Sequence, residues 1–416
     1  MASRRARTVA ILGGGPAGAT LATALVRAGV RVVLFHKGKR PPIIVGESLV
    51  PAVVPFLRWL GIEDEVAAYS IWKGGATFVL TPEQRLNVRF DEVRGARTTY
   101  SYNVPRDRFD ASILRVAERA GAAVLDHPVH LERDGGDRVA LDAASVAAAG
   151  DVLGGRQPDW IVDAGGRART LARLLELPTV TGERRDTALH AHLTGVEVEV
   201  AGNVHTDRLA HGWAWRIPLP GRVSVGLVVD GDHLRTLGTT LEEQYDTCLR
   251  TDPSLCAWAR PATRVTPVVR YTNYQLRSTR GVGANWALAG DAFGFIDPVF
   301  SSGMLIALES ARQLADALLD GSPAALAAYE RDILHKLECW QRIATYFYSG
   351  QILTLFRVGE VVKQRFWGRV LDFHFRKHMP RIFTGEGTTN RYSQWLVGFM
   401  VERGLYGQNP DELRIR

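Results

Sequence analysis

The sequence predicts an α/β fold, α+β overall, with a parallel βαβ start, a strand-rich part and a helical C-terminal region. The βαβ unit is indicated by the apolar run "TVAIL" at 8–12, a glycine turn, the helix-forming "AGATLATALVRAG" and a second apolar run, "VRVVLFH", at 30–36. Segments within 187–275 alternate apolar and polar side chains, as half-buried strands do. From about residue 326 the apolar spacing becomes that of amphipathic helices.

The remaining elements are predicted in chain order. Strands and turns are expected over 75–102, and the apolar spacing of "RDRFDASILRVAERAG" at 106–121 predicts a helix. A Gly/Ala-rich loop region follows near 134–157. The buried strands "DWIVDAGG" and "NWALAGDAF" come next, and the amphipathic helix "GMLIALESARQLADALLDG" ends at a glycine. A chain of 416 residues is long enough for roughly two to three domains.

The composition is that of an ordinary globular protein. The net charge of +7 is modest for the length and no long block of like charge occurs, so nucleic acid is not an expected partner. Three scattered cysteines, Cys248, Cys256 and Cys339, lack metal-ligand spacing and predict free thiols and no metal site. The apolar stretch 8–30 contains three consecutive glycines and Pro16, which argue against a membrane helix or a signal peptide. We therefore expect a cytoplasmic protein without integral membrane association.

A G-x-G-x-x-G pattern lies between the first strand and the first helix. Gly13 permits the tight turn, Gly15 lets the backbone approach a pyrophosphate, and Gly18 lets the helix pack on the strand. The alternative is a tight turn without a ligand. The acidic residue expected about 20 positions on is replaced by His36. The segment predicts a Rossmann-like dinucleotide site with contacts from Gly13, Gly15, Pro16, Ala17, Gly18, His36 and Lys37.

Two later aspartates favour FAD as the dinucleotide. Asp163 follows the strand "IVDAGG", and Gly290 and Asp291 follow the strand in "ALAGDAF". A carboxylate at such a strand end is placed to bind a ribityl chain, which a nicotinamide dinucleotide lacks. The alternative interpretation is that both aspartates are helix N-caps.

Four stretches carry a resemblance to a known family: "VGESLVP" at 45–51, "WKGGATFVL" at 72–80, "GWAWRIPLP" at 212–220 and "GDAFGFIDPVFSSGM" at 290–304. The chain resembles the group A flavin monooxygenases over about 7–345. Within that superfamily it is similar to flavin-dependent halogenases that act on phenols and pyrroles. The W-x-W-x-I-P signature of halogenases is complete in this sequence.

The resemblance implies an FADH2-dependent halogenase of secondary metabolism. Reduced FAD from a separate flavin reductase, together with O2 and chloride or bromide, yields hypohalous acid. This oxidant travels to a lysine beside an electron-rich aromatic substrate, which is free or tethered to an acyl or peptidyl carrier protein. The catalytic residues implied are Lys73, Glu47, Trp213 and Trp215.

The residues themselves support these roles and leave alternatives open. Burial of Lys73 would lower its pKa and favour the neutral amine, whereas the alternative is a lysine extended along the surface. Trp213 and Trp215 share one face of a strand and are predicted to separate flavin from substrate, with core packing as the alternative or additional role. Glu47 is equally suited to proton transfer and to accepting backbone hydrogen bonds.

The remaining family positions are assigned to cofactor and halide. Arg106 matches a position near the flavin, although Arg106 and its neighbour Arg108 are both candidates for a solvent-facing side chain. Ser301, Ser302 and Gly303 open a helix and predict a halide-binding nest of backbone amides, with an ordinary serine N-cap as an alternative or additional role. Further cofactor contacts are predicted at Glu47, Ser48, Pro298, Gly303 and Met304.

The predicted organisation has three parts. They are a discontinuous FAD-binding domain at 1–80, 103–186 and 276–325, a β-rich substrate domain at 81–102 and 187–275, and a helical region at 326–416. The basic stretch 363–381 is either a docking face for an acidic carrier protein or a solvated helix face. Three other functions remain open: an FAD-dependent hydroxylase, a reductase or dehydrogenase of the same superfamily, and a flavoprotein scaffold without catalysis.

Overall fold

The computed structural model describes residues 6–38, 43–184, 186–272, 275–362, 378–388, 391–405 and 407–415. The strands are β1 Thr8–Leu12, β2 Arg31–Phe35, β3 Ile71–Lys73, β4 Gly75–Thr81, β5 Gln84–Arg89, β6 Ser101–Asn103, β7 Ala123–Leu125, β8 Leu131–Arg133, β9 Val139–Leu141, β10 Trp160–Asp163, β11 Thr179–Thr181, β12 Thr187–Thr194, β13 Val204–Leu209, β14 Gly212–Leu219, β15 Arg222–Val229, β16 Thr263–Arg264, β17 Val269–Thr272, β18 Leu276–Ser278, β19 Trp286–Leu288 and β20 Gly294–Phe295.

The α-helices are α1 Pro16–Arg27, α2 Val54–Leu60, α3 Glu63–Tyr69, α4 Arg106–Ala120, α5 Ala143–Ala148, α6 Gly150–Leu153, α7 Thr170–Leu174, α8 Gly231–Thr236, α9 Leu241–Thr251, α10 Cys256–Ala259, α11 Ser302–Asp320, α12 Pro323–Tyr348, α13 Gln351–Val362, α14 Arg381–Thr384 and α15 Arg391–Arg403. Short 3-10 turns occupy Pro51–Val53, Phe90–Glu92, Gly166–Ala168, Gly290–Ala292, Glu386–Thr388 and Pro410–Leu413. None of these helices is both long and apolar enough to cross a membrane.

A five-stranded parallel sheet forms the first layer, in the order β19-β10-β1-β2-β7. Strand β1 is buried along its whole length, which explains its uninterrupted apolar sequence. The chain turns from β1 into α1 at Gly13, whose φ is +103°. Helix α1 packs against this turn at Gly18, where a Cβ would lie 1.9 Å from the Gly13 carbonyl oxygen. The predicted α/β fold with a Rossmann-like parallel sheet is confirmed.

A second, mostly antiparallel sheet has the order β16-β12-β15-β14-β13-β4-β5, with β17 also paired to β12. One face carries a separate apolar core that packs against α9 and includes Tyr245 and Trp258. The opposite face carries Trp213 and Trp215, as the alternation predicts. Trp215 lies opposite Gly226, where a Cβ would come within 2.0 Å of the indole. Glycine at this position therefore makes room for the ring.

One part of the predicted element pattern is wrong and another is incomplete. The region 134–157, expected to be a loop, contains α5 and α6, and α5 begins where the Asp142 carboxylate accepts the Ser145 N–H. The strand-rich region 187–275 also contains α8, α9 and α10. Helix α9 starts with a capping box between Thr240 and Glu243. This local signal predicts a helix start, although the segments on either side alternate as strands do.

The domain boundaries stay a prediction. A boundary between residues 80 and 81 would divide β4, which belongs to the second sheet through its pairing with β13 and β5. Beyond 326 the described residues are mainly helical, in α12 to α15. Most of the basic stretch predicted at 363–381 lies outside the described residues, which resume at residue 378.

Candidate functional site

A cavity of about 410 Å³ opens where the parallel sheet, the second sheet and the start of α11 meet. The glycine turn forms one wall, through Gly13, Gly15, Pro16 and Ala17. A Cβ on Gly13 would lie 2.5 Å from the Ala164 carbonyl oxygen, so the turn needs glycine there. Helix α1 begins at Pro16, and its free N–H groups give this wall a positive potential.

Arg106 and Asp291 supply charge to the cavity wall. The Arg106 guanidinium pairs with Asp110 at 2.9 Å and donates to the Val45 carbonyl at 2.5 Å. Burial raises the pKa of Asp291 to about 6, opposed by Arg106 and Arg167. Arg108 instead lies over the Tyr69 ring. Of the two candidate arginines, the structure thus brings Arg106 to the cavity.

Several predicted cofactor residues do not line the cavity as the described residues define it: Gly18, His36, Lys37, Glu47, Asp163 and Gly290, and neither does the predicted halide residue Ser302. The Asp163 carboxylate accepts the N–H groups of Gly165 and Leu171, both at 2.9 Å, as a helix-capping aspartate does. Gly290 donates its N–H to the Ser310 hydroxyl at 2.9 Å. His36 is half-buried beside the glycine turn and Lys37 is exposed. Asp163 and Asp291 both follow a buried strand in the sequence, but backbone N–H groups occupy the Asp163 carboxylate, whereas Asp291 lines the cavity.

Lys73 is buried, so the surface alternative is excluded. Its side chain is 2% exposed and its ammonium donates to the Ser48 hydroxyl at 2.8 Å and to the Leu49 carbonyl at 2.9 Å. The nitrogen also lies 5.5 Å from the centre of the Phe90 ring. Loss of solvation lowers the pKa of Lys73 from 10.5 to about 7. Because Ser48 lines the cavity, one hydroxyl group joins the amine to the cavity wall.

Glu47 contacts an imidazole that the sequence pattern did not identify. Its Oε1 lies 2.9 Å from Nε2 of His192, and both side chains are buried. His192 lies on β12, 145 residues away, and has no local signal that connects it to Glu47. The structure thus gives Glu47 a hydrogen-bond partner that neither of its predicted roles included.

A second histidine of β12, His190, is fully buried between Trp215 and Tyr271, with ring centres 6.0 Å and 5.5 Å away. Its ring nitrogens have no hydrogen-bond partner within the described part of the chain. Burial lowers the pKa of His190 to about 4, so the imidazole is neutral at neutral pH. Both flanking rings line the cavity.

Trp213 and Trp215 form an aromatic wall of the cavity, with ring centres 5.8 Å apart. Nε1 of Trp213 donates to the Tyr348 hydroxyl at 2.9 Å, and Nε1 of Trp215 donates to Ser224 at 3.3 Å. The Tyr348 hydroxyl in turn donates to Asp297 at 3.0 Å. Both indoles therefore serve core packing and the cavity wall at once.

The start of α11 closes the cavity through Pro298, Ser301, Gly303 and Met304. Ser301 precedes the helix with φ +55° and makes no side-chain cap, so the ordinary N-cap alternative is wrong for this serine. The Ser301 hydroxyl accepts no hydrogen bond from the first N–H groups of α11. Those N–H groups are therefore available to a ligand at the helix N-terminus. Ser302 is buried within the helix start.

Comparison with known proteins gives consistent matches. The family model described as Tryptophan halogenase matches residues 8–84 and 82–352. Tryptophan 2-halogenase of Chondromyces crocatus is 31% identical over 364 residues, which cover 83% of this chain and 65% of that protein. The chain thus spans slightly less than two thirds of this relative. The 1H-pyrrole-2-carbonyl peptidyl-carrier protein chlorinase of Pseudomonas fluorescens is 27% identical over 388 residues, which cover 83% of this chain and 84% of that protein.

Solved structures have the same fold. The myxobacterial chondrochloren halogenase superposes with a TM-score of 0.73 and 28% identity, over 83% of each chain. A flavin-dependent brominase superposes with a TM-score of 0.77 over 97% of this chain and 100% of that chain, at 21% identity. The second likeness is one of fold alone.

Proposed function

This chain belongs to the tryptophan halogenase family, and from this premise we propose that it is an FAD-dependent halogenase. The predicted resemblance to flavin-dependent halogenases is confirmed by the family match. In our proposal the enzyme uses reduced FAD, O2 and chloride or bromide to halogenate an electron-rich ring of phenol or pyrrole type. The observation that carries the proposal is the buried amine of Lys73, which is joined to the cavity through Ser48.

The cavity fits FAD at the glycine turn. A Cβ on Gly15 or Gly303 would meet nothing within 4 Å, so both backbones are open to a ligand. The N-terminus of α1 suits a pyrophosphate, and Asp291 suits the hydroxyl groups of a ribityl chain. The proposed FAD contacts on the cavity are Gly13, Gly15, Pro16, Ala17, Ser48, Arg106, Asp291, Pro298, Gly303 and Met304. When bound, reduced FAD would donate two electrons to O2, so that O2 could oxidise halide to hypohalous acid with release of water.

Lys73 receives the oxidised halogen in this proposal. An amine with a pKa of about 7 is about half neutral at neutral pH, and its free lone pair reacts with or hydrogen-bonds hypohalous acid. The Ser48 hydroxyl lies on the path from the cavity to the amine and holds the nitrogen in place. Lys73 then presents the electrophilic halogen to the aromatic ring of the substrate.

Three further groups direct the reaction in this proposal. Trp213 and Trp215 keep an aromatic substrate out of the cavity, so a small halide is the nucleophile that reaches the oxidising centre. Ser301, Ser302 and Gly303 offer the N-terminus of the 19-residue helix α11 to the halide. Glu47, hydrogen-bonded to His192 and next in sequence to the cavity-lining Ser48, is a candidate for proton transfer.

The proposed partners follow from the chemistry. A flavin reductase supplies reduced FAD, and the aromatic substrate is free or held on a carrier protein. The carrier-bound alternative is supported by the relative from Pseudomonas fluorescens, whose name specifies a substrate on a peptidyl carrier protein.

The test supplies the purified chain with FAD, a flavin reductase, NADH and bromide, together with a panel of phenols and pyrroles. Mass spectrometry is expected to detect brominated rings. Lys73→Met should lose ring bromination, while a 1,3-dione trap in solution still becomes brominated because hypohalous acid still forms. Lys336→Met, which removes a lysine paired with Glu309 away from the cavity, should retain both activities.

Three results would overturn the proposal. Hydroxylated products alone would identify a hydroxylase, and substrate reduction that is independent of bromide would identify a reductase. Undiminished ring bromination by Lys73→Met would remove the amine from the mechanism.

A further inference from the structure

Among the described residues that line the cavity, one carries sulfur: Met304, a proposed FAD contact whose thioether has no chemical role in the proposed mechanism. Thioethers and thiols are the side chains most easily oxidised in proteins. Among the described methionines, Met304 lines the cavity, whereas Met379 is fully buried in the core and Met400 packs against the core from α15. None of the three cysteines lines the cavity as the described residues define it.

Met304 lies next to the proposed halide site. It occupies the first turn of α11, directly after Gly303. Gly303 has no side chain, and apart from its chain neighbours and the helix backbone a Cβ there would meet no described atom within 4 Å. Met304 is 8% exposed and lines the cavity. An oxidant formed in the cavity therefore has access to this thioether before it reaches solvent.

We propose that Met304 is an oxidation site, at which hypohalous acid that Lys73 does not capture inactivates the enzyme. This inference rests on the proposed function, because it takes its oxidant from that reaction. The site takes hypochlorous or hypobromous acid and becomes methionine sulfoxide.

The chemistry balances without a further reagent. A sulfur lone pair attacks the halogen of hypohalous acid, and hydroxide leaves. Water then adds to the halosulfonium ion, and halide and two protons depart. In sum, thioether and hypohalous acid give sulfoxide, halide and one proton, so sulfur is oxidised by two electrons and the halogen is reduced by two.

The structure indicates why this change stops activity. Sulfoxide formation turns a flexible apolar side chain into a polar, chiral one. Met304 lies among apolar neighbours, including Val299 and Ala307, on a wall that we assign to FAD. The new dipole at this position is expected to weaken flavin binding, and methionine sulfoxide reductase should reverse the loss.

The experiment follows oxidation peptide by peptide. The enzyme is run with FAD, a flavin reductase, NADH and bromide but without aromatic substrate, and protease digests are analysed by mass spectrometry. Met304 should gain one oxygen atom severalfold more often than Met379 or Met400. Omission of bromide should suppress the gain, whereas a 1,3-dione trap in solution should leave most of it, because the oxidant meets Met304 inside the cavity before it reaches solvent. Treatment with methionine sulfoxide reductase should restore activity to the inactivated wild type.

A variant comparison completes the test. Met304→Leu and the matched control Met379→Leu are each normalised to their own initial rate. Met304→Leu should lose activity severalfold more slowly than the wild type, and Met379→Leu should lose it at the wild-type rate. If bromination proceeds while Met304 stays unoxidised, or oxidation is equal without bromide, this inference is wrong and the proposed function stands. If the trap detects no bromide-dependent oxidant, the proposed function itself fails.

Discussion

Lys73→Met replaces a buried amine with an apolar side chain of similar length, and its effect on stability should depend on pH. The folded chain holds the pKa of Lys73 at about 7, because burial removes water from the ammonium. The unfolded chain has the ordinary lysine value of about 10.4. Between about pH 7 and pH 10, the unfolded wild type therefore binds one proton more than the folded wild type. The contribution of Lys73 makes the wild type more stable as the pH rises through this window.

The magnitude follows from the two pKa values. Below about pH 7 the amine is protonated in both states, and burying the charge costs the fold about 5 kcal/mol. This penalty falls by at most about 1.4 kcal/mol per pH unit, and because the folded amine is half protonated at about pH 7 it falls by about 2 kcal/mol between about pH 7 and pH 9. The variant also loses the hydrogen bonds to Ser48 and Leu49, about 1 kcal/mol each, at every pH. The pH dependence of the difference, and not its sign at one pH, therefore tests the reasoning.

Urea unfolding followed by tryptophan fluorescence measures this difference on the protein without added FAD. The free energy of unfolding of Lys73→Met, minus that of the wild type, should fall by about 2 kcal/mol from about pH 7 to pH 9. Lys336→Met, which removes a lysine paired with Glu309 at 2.9 Å, is the control for the loss of a lysine charge. If the difference in free energy of unfolding between Lys73→Met and the wild type stays constant across this pH range, the lowered pKa of the buried Lys73 amine is refuted.

Three further changes test the fold around the site. Asp207→Ala leaves the buried guanidinium of Arg216 without its carboxylate, and urea unfolding should show a loss of about 3–5 kcal/mol, whereas a loss below about 1 kcal/mol would contradict a tightly coupled pair. Tyr348→Phe removes the acceptor for Nε1 of Trp213 and should cost about 1–3 kcal/mol in thermal unfolding, so an unchanged midpoint would speak against this contact. Gly13→Ala forces a Cβ into a backbone with φ +103°, and the strain, on the order of 1–3 kcal/mol, should weaken FAD binding in a flavin-fluorescence titration; wild-type affinity would exclude this turn from the site.

The sequence alone predicted the elements that depend on neighbouring residues. The glycine turn after β1 requires a positive φ at Gly13, and that requirement is visible in the residue type itself. The alternation in β14 places Trp213 and Trp215 on one face, because successive strand residues point to opposite sides. Local signals of this kind do not depend on the rest of the chain.

The tertiary structure decided which chemical groups meet. Asp163 and Asp291 follow strands with similar sequences, but backbone N–H groups occupy the first carboxylate while the second faces the cavity. His192 lies 145 residues from Glu47, its hydrogen-bond partner. The burial of Lys73, which lowers its pKa, depends on the segments packed over it. Such contacts are set by the packing of distant segments, since no short stretch of sequence determines what will lie against it.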